Sequence, residues 1–269
     1  SMLEFIAENK SDLLDVRRRA KDNVKIQNKF DLNWTLDFDK EDQLEFKGYE
    51  YRQKKSKVTG QERNYYDRSR PFEKQVPFYN TYKPTVSVEK PKAYIIPQAY
   101  QSVVDRLVAN GVQMERIQTD QEMNLGVYRI KDYETSESAY EGHYIHSSVE
   151  VSKTNEQVKI YKGDYRIRTN QALNQMIIHT LEPEAPDSYF TWNFFDGILM
   201  QKEYFSSYVF EEIAEELLDE DRDLRRRFEQ KKKDDKEFRE DSRAQLNFIY
   251  QNSPYYEPTF KRYPVFREE

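Results

Sequence analysis

The residues of this chain whose types and spacing could carry chemistry are few, and the histidines come first. His179 and Glu182 form an H-x-x-E pair, a spacing with which some enzymes place two ligands on one zinc ion before a third ligand from later in the chain. The chain has only three histidines, His143, His146 and His179, so none follows residue 179. The pair also lies at the predicted end of a helix that Pro183 closes. We therefore interpret the spacing as incidental and predict no metal site.

A run of aromatic and apolar residues from Tyr189 to Met200 is the second candidate. One interpretation is hydrophobic core, which we favour because a buried stretch of this composition needs no further explanation. The other interpretation is a groove that stacks sugar rings or holds a peptide, with polar side chains beside the rings. Under this second interpretation, the candidate ligand or interface residues are Asp187, Tyr189, Trp192, Asn193 and Phe195.

The composition excludes several other kinds of chemistry. The 269 residues include no Cys and only 7 Gly, so there is no disulfide or cysteine nucleophile, and a phosphate-binding glycine loop is not expected. The chain carries 43 Lys and Arg against 49 Asp and Glu, a net charge of −6, which gives no electrostatic reason for a nucleic acid partner. No apolar run reaches the roughly 20 residues that span a bilayer, so no membrane span is predicted.

Hydrophobic periodicity predicts an α+β fold with terminal helices, a β-rich middle that contains one strand–helix–strand unit, and a helical C-terminal third. The unit consists of a buried strand at 93–96, a helix at 98–110 ended by Gly111, and a strand at 112–117. The other elements predicted in this part of the chain are a helix from Asn170 to Leu181 and strands at 127–130, 142–151, 158–161 and 164–168.

The region before residue 91 combines alternating residues with prolines. Strict alternation predicts a half-buried strand at 32–38. Residues 52–90 are polar, basic and aromatic, and Pro71, Pro77 and Pro84 are expected to break any regular element there. Disordered chains are poor in aromatic residues, so we predict an extended connector held to a surface by its aromatic side chains.

Three stretches of the sequence resemble one known family. They are residues 181–196 (LEPEAPDSYFTWNFFD), 91–97 (PKAYIIP) and 263–268 (YPVFRE). Together they resemble the C-terminal region of secreted bacterial zinc carboxypeptidases of the carboxypeptidase A-like family. The resemblance covers roughly residues 3–269, and the 181–196 stretch is its most specific part.

The resemblance implies a parent protein with a peptidase domain upstream of this chain. In that family an H-x-x-E pair and a distant His hold zinc, a Glu acts as general base on the zinc-bound water, and Arg side chains bind the C-terminal carboxylate of the substrate. None of these residues can be matched here. His179 and Glu182 share only the spacing of the first pair, and nothing is carried over to Glu4 or Glu8. We expect no cofactor in this chain and zinc in the parent protein.

The residue patterns and the resemblance together divide the chain into regions. Residues 1–30 are terminal helices that resemble the end of a peptidase catalytic domain, and 31–90 are strands with an extended aromatic-rich connector. Residues 91–205 form an α/β accessory domain, and 206–269 are C-terminal helices and a tail.

The first functional hypothesis is a non-catalytic accessory region of a zinc carboxypeptidase that supports the peptidase domain or shapes its substrate entrance. The expected partners are the upstream peptidase domain and, through it, the peptide substrate, in a periplasmic or secreted protein. The alternative is an independent glycan- or peptide-binding module of a cell-envelope protein. An H-x-x-E pair and a later His encoded upstream of Leu3 would favour the first hypothesis, and a start codon there would contradict it.

Overall fold

Helices and strands both contribute substantially to the computed structural model, which describes residues 1–269, so the predicted α+β class is confirmed. The chain divides into two units. We call Ser1–Asn28 together with Lys90–Glu269 the sheet unit, and Lys29–Glu89 the ribbon unit.

The helices are α1 (Met2–Glu8), α2 (Lys10–Ile26), α3 (Gln101–Ala109), α4 (Asn174–Leu181), α5 (Ser207–Glu220), α6 (Arg222–Asp234), α7 (Lys236–Glu240) and α8 (Ser242–Gln251), with short 3₁₀ helices at Gln98–Tyr100 and Asp196–Ile198. The strands are β1 (Lys29–Leu36), β2 (Asp42–Lys55), β3 (Glu62–Phe78), β4 (Tyr82–Glu89), β5 (Ala93–Ile96), β6 (Glu115–Arg116), β7 (Gln121–Thr135), β8 (His146–Ile160), β9 (Tyr165–Arg168) and β10 (Phe266–Glu268). No helix is long and apolar enough to cross a membrane.

The sheet unit contains a six-stranded sheet in the order β6-β9-β5-β10-β7-β8, in which all neighbours are antiparallel. Because β5 and β6 both run antiparallel to β9, which lies between them, they are parallel to each other. Helix α3 connects them and buries Val103, Val104 and Leu107, and Gly111 follows it with a φ of +85°. The predicted strand–helix–strand unit is therefore confirmed, with β9 inserted between its two strands.

The predictions for the strands at the end of the sheet were wrong at several boundaries. The strand predicted at 127–130 extends from Gln121 to Thr135 as β7. The strand predicted at 142–151 begins only at His146, and β8 then continues without a break to Ile160, within the predicted 158–161 strand. Residues 136–145 form the connection between β7 and β8, which includes a tight turn. Tyr144 and Ile145 lie in this connection although their residue types are typical of strands, so residue type alone does not show where pairing begins.

The helix predicted from Asn170 begins instead at Asn174. The Asn174 side chain holds the preceding residues in a turn, because its Nδ2 donates to the Thr169 carbonyl at 2.8 Å and its Oδ1 accepts from the Gln171 N–H at 3.1 Å. Asparagine side chains bind nearby backbone in this way and compete with helix formation.

The predicted helical C-terminal third is confirmed as α5 to α8. Asp221, Asp235 and Asp241 each end one helix and cap the next, and their side chains accept hydrogen bonds from backbone N–H groups of the first turn. The apolar faces of the four helices meet in one cluster, whose buried members are Phe210, Ala214, Leu224, Phe228, Phe238, Leu246, Ile249 and Tyr250.

The ribbon unit is two-stranded throughout, because β1 pairs only with β4 and β2 only with β3. The expectation that prolines break residues 52–90 was wrong, since Pro71 and Pro77 lie within β3 and Pro84 lies within β4. Each strand of a two-stranded ribbon has one edge that faces no other strand, and a residue without an N–H is tolerated there.

Candidate functional site

The connection between β7 and β8 presents two rings at its tip. Tyr140 and His143 exchange two backbone hydrogen bonds, at 2.8 and 2.9 Å, around the residues Glu141 and Gly142. These two residues have φ values of +51° and +82°. Positive φ at both central positions is the requirement of a type I′ hairpin turn. The turn therefore fixes Tyr140 and His143 side by side.

The aromatic run divides into buried and outward side chains. Tyr189, Phe190 and Phe195 are buried, whereas Trp192 and Phe194 are half-buried. The run folds as a compact series of turns, which directs some rings inward and others outward. Hydrogen bonds to buried Ser188 hold these turns. The Ser188 hydroxyl oxygen accepts from the Thr191 N–H at 3.0 Å, and the Ser188 carbonyl accepts from the Trp192 N–H at 3.1 Å. The core interpretation holds for the buried rings, and the groove interpretation stays a prediction for the outward ones.

The outward rings continue into a row that we call the aromatic row, made of Arg106, Phe194, His143, Trp192 and Tyr140. The Arg106 guanidinium lies 4.5 Å from the Phe194 ring centroid, and Phe194 stacks on His143 at 6.0 Å between centroids. The His143 ring lies 5.4 Å from Trp192, which lies 6.2 Å from Tyr140. The row thus combines an aromatic surface of four rings with one cation at its end.

Buried His146 is the first residue of β8 and links the end of the β7–β8 connection to the 189–196 run. Its Nδ1 lies 2.9 Å from the Thr135 hydroxyl oxygen, and its Nε2 lies 3.1 Å from Asp196 Oδ1 and 3.2 Å from Asn193 Nδ2. The His146 backbone N–H also donates to the Thr191 carbonyl at 3.0 Å. Asp196 remains half exposed, with 47% of its side chain accessible. This network holds a carboxylate at the surface beside the row.

Asn193 adopts a left-handed backbone with φ of +64°, and its Nδ2 donates to the Tyr144 carbonyl at 2.7 Å. We expect Asn193→Ala to lower the free energy of unfolding by about 2 kcal/mol, because it removes that hydrogen bond and leaves a less tolerant residue at positive φ. Asn193→Gly removes the same bond but accepts the backbone, so about 1 kcal/mol is expected. Urea unfolding measures both. Equal losses in the two variants would contradict the role of the backbone conformation.

The residues predicted as a site are therefore only partly brought together. Trp192 and Asn193 lie at the surface, and Asp187 is exposed in the turn before them. Tyr189 and Phe195 belong to the core: Tyr189 packs on Phe194 at 5.2 Å, and burial raises the pKa of its hydroxyl against the opposing influence of nearby Arg106. The sequence prediction missed Arg106, Tyr140 and His143, because they belong to α3 and to the β7–β8 turn.

The H-x-x-E pair does not fit a zinc ion. Glu182 is buried, and its carboxylate accepts hydrogen bonds from the Tyr94 hydroxyl and from the Arg267 guanidinium. His179 lies on α4 with its Nε2 2.6 Å from Gln175 Nε2. Both of these hydrogen bonds end on Glu182 Oε1, and no further His, Asp or Glu completes a metal-binding group with the pair.

Comparison with known proteins connects part of the chain to carboxypeptidases. The chain is 25% identical over 107 residues to Carboxypeptidase 2 of Trichophyton rubrum, and 26% identical over 100 residues to Carboxypeptidase 2 of Trichophyton tonsurans. These alignments cover 40% and 37% of this chain, and 20% and 18% of the fungal proteins, so the chain spans about a fifth of those relatives. No protein-family profile matches the chain, and no solved structure matches it.

Proposed function

We propose that this chain is a non-catalytic accessory region of a zinc carboxypeptidase and that its aromatic row contacts the peptide at the substrate entrance. The similarity to fungal carboxypeptidases supports the class of protein. In this proposal, hydrolysis is carried out by an upstream domain that holds the zinc, in a periplasmic or secreted protein. The resemblance of residues 181–196 to such enzymes supports this assignment of roles.

The observation that carries the proposal is the aromatic row with its charged neighbours. Apolar peptide side chains pack on rings such as Trp192 and Tyr140, and the rings gain from being removed from water. Arg106, at the end of the row, offers a cation to a peptide carboxylate. The exposed carboxylate of Asp196, held by His146, offers an acceptor to peptide N–H groups or to basic side chains. These groups bind a peptide without taking part in its cleavage.

The proposed role requires a peptide long enough to reach the row. In the natural full-length protein, we expect Trp192→Ala to raise the KM for peptides of about ten residues by about tenfold, the effect of losing roughly 1.4 kcal/mol of ring contact. The KM for a blocked dipeptide and both kcat values should stay unchanged, because the row does not touch the reacting atoms in this proposal. Steady-state hydrolysis of the two substrates measures this difference.

The matched control is Tyr161→Ala, which removes a ring that is 50% exposed outside the aromatic row. It is expected to leave both KM values at their wild-type level. Zinc content and release of C-terminal amino acids by the full-length protein test the class itself. A full-length protein without zinc and without such release would overturn the proposal. Equal losses on long and short substrates in Trp192→Ala would overturn the role of the row.

A further inference from the structure

The hairpin of β2 and β3 ends in a strongly basic segment that we call the basic tip, residues 51–70. It contains seven Lys and Arg and two Asp and Glu, a net charge of +5, whereas the whole chain carries −6. Its rings Tyr51 and Tyr66 contact each other at 6.2 Å and are 56% and 69% exposed. The tip therefore differs in charge from the rest of the chain.

Strand pairing brings like charges together at one position of the tip. The register places Lys54 directly opposite Arg63, where like charges repel each other, whereas the next pair, Lys55 and Glu62, has opposite charges. Only two of the seven cations have a carboxylate partner in the chain: Arg52 lies 3.4 Å from Asp67, and Arg70 lies 3.3 Å from Glu50. The cations that form no ion pair within the chain are Lys54, Lys55, Lys57, Arg63 and Arg68. A negatively charged partner would remove this repulsion.

The β2–β3 hairpin has no third strand, and most residues on both of its faces are exposed. Isolated hairpins are marginally stable in water, and stability comes from packing a face or adding strands. Here β2 and β3 pair only with each other, and Leu44, Phe46 and Phe78 remain 43%, 46% and 42% exposed. We therefore expect the hairpin of β2 and β3 to gain stability when another surface covers its exposed apolar side chains.

The complementary surface exists on the same sequence, along the exposed side of α5. This helix carries six acidic residues and no basic residue, and only Asp219 pairs with a cation, Arg225. The remaining acidic residues, which we call the acidic face, are Glu211, Glu212, Glu215, Glu216 and Glu220. All five are exposed. Five unpaired carboxylates therefore match five unpaired cations of the basic tip.

The acidic face adjoins aromatic surface that suits the tyrosines of the tip. A cleft of about 470 Å³ at the start of α5 is lined in part by Tyr204, Val209 and Tyr255. These side chains are 71%, 59% and 57% exposed, and Tyr208 beside them is 91% exposed. Contact between the basic tip and the acidic face would therefore combine attraction between opposite charges with burial of aromatic rings.

We propose that the basic tip docks on the acidic face of a second copy of this chain, so that two copies exchange their hairpins reciprocally. Exchange of the same contact in both directions gives a closed dimer rather than an open chain. The 14 residues of β2 span about 45 Å, at roughly 3.3 Å per residue, which is enough to reach a neighbouring molecule.

Sedimentation equilibrium of the purified chain tests the proposal. We expect dimers whose Kd rises by at least about tenfold between roughly 50 and 500 mM NaCl, because salt screens exposed charges. The tip variant K54E/K55E/K57E and the helix variant E211K/E212K/E215K should each be monomeric at protein concentrations where the wild type dimerises. Mixed in equal amounts, the two variants should form a heterodimer, since both contacts are then complementary with the charges exchanged.

The control R17E/R19E/K21E changes the net charge by the same amount on α2 and should leave the dimer intact. Circular dichroism checks that each variant remains folded. Formation of the heterodimer on mixing the tip and helix variants is an independent check, because only folded chains are expected to associate in this way. A wild-type chain that is monomeric at every salt concentration would overturn the proposal. So would dimers that survive in both variants. Binding of heparin or a single-stranded oligonucleotide to a monomeric wild type, lost in the tip variant, would assign the tip to a polyanion instead.

Discussion

Replacing Arg267 by methionine is expected to lower the free energy of unfolding by about 3–5 kcal/mol. Arg267 is among the most deeply buried side chains of the chain, and its guanidinium donates to Glu182, to the Tyr128 hydroxyl at 3.2 Å and to Glu269 at 3.0 Å. Burial disfavours the charge, but the combined influence of Glu182, Tyr128, Tyr94 and Glu269 outweighs burial and keeps the pKa of Arg267 above its usual value. Without the guanidinium, Glu182 is left as an unpaired charge in the core.

The double variant Glu182→Gln with Arg267→Met separates this cause from simple loss of packing. A neutral Gln can still accept from Tyr94, so most of the lost stability should return, and guanidinium chloride unfolding measures each variant. Arg226→Met is the surface control: its pair with Asp223 is 76% and 77% exposed, so a change below about 0.5 kcal/mol is expected. A loss of less than about 1 kcal/mol in Arg267→Met would contradict the buried pair as a stabilising element.

Local periodicity predicted those elements whose evidence lies within a few residues. The α3 helix, the glycine that ends it and the helices from α5 to α8 follow from apolar spacing and caps. Strand β10 could not be predicted in this way. Phe266–Glu268 is too short for an alternating pattern, and it becomes a central strand only by pairing with β5 and β7 from far earlier in the chain. The sequence also gives no reason for a buried arginine in this strand. The structure gives the reason, because Arg267 donates a hydrogen bond to the buried carboxylate of Glu182.

Residues of the candidate site could be predicted from the sequence only where they lie in one continuous stretch. Trp192 and Asn193 were predicted because the run that contains them is unusually rich in aromatic residues. The composition of the run could not show which of its rings point outward. That choice depends on the turns anchored by Ser188. Arg106 and His143 reach the same surface from elements that are remote in sequence, so no spacing rule connects them. Gly142 was the one local signal, since glycine accepts the positive φ that the turn presenting His143 requires.

Stability should also fall steeply at alkaline pH, by about 4 kcal/mol for each pH unit above roughly 10. The pKa values of Tyr94, Tyr128 and Tyr263 are all raised, first by burial and then by the negative charge of Glu182. A tyrosine in the unfolded chain loses its proton near pH 10, before these buried groups do. Above that pH the unfolded state therefore releases protons that the folded state keeps, and each buried tyrosine contributes about 1.4 kcal/mol per unit to the decline.

Tyrosine-to-phenylalanine variants isolate this decline from other titrations. Tyr94→Phe should reduce the slope of unfolding free energy against pH by about 1.4 kcal/mol per unit between pH 10 and 11.5, whatever it does to stability at neutral pH. Tyr208→Phe should leave the slope unchanged, because Tyr208 is 91% exposed in the folded chain. An unaltered slope in Tyr94→Phe would mean that this hydroxyl ionises while the chain is still folded. The network around Glu182 would then tolerate a second negative charge, which its burial and its single arginine argue against.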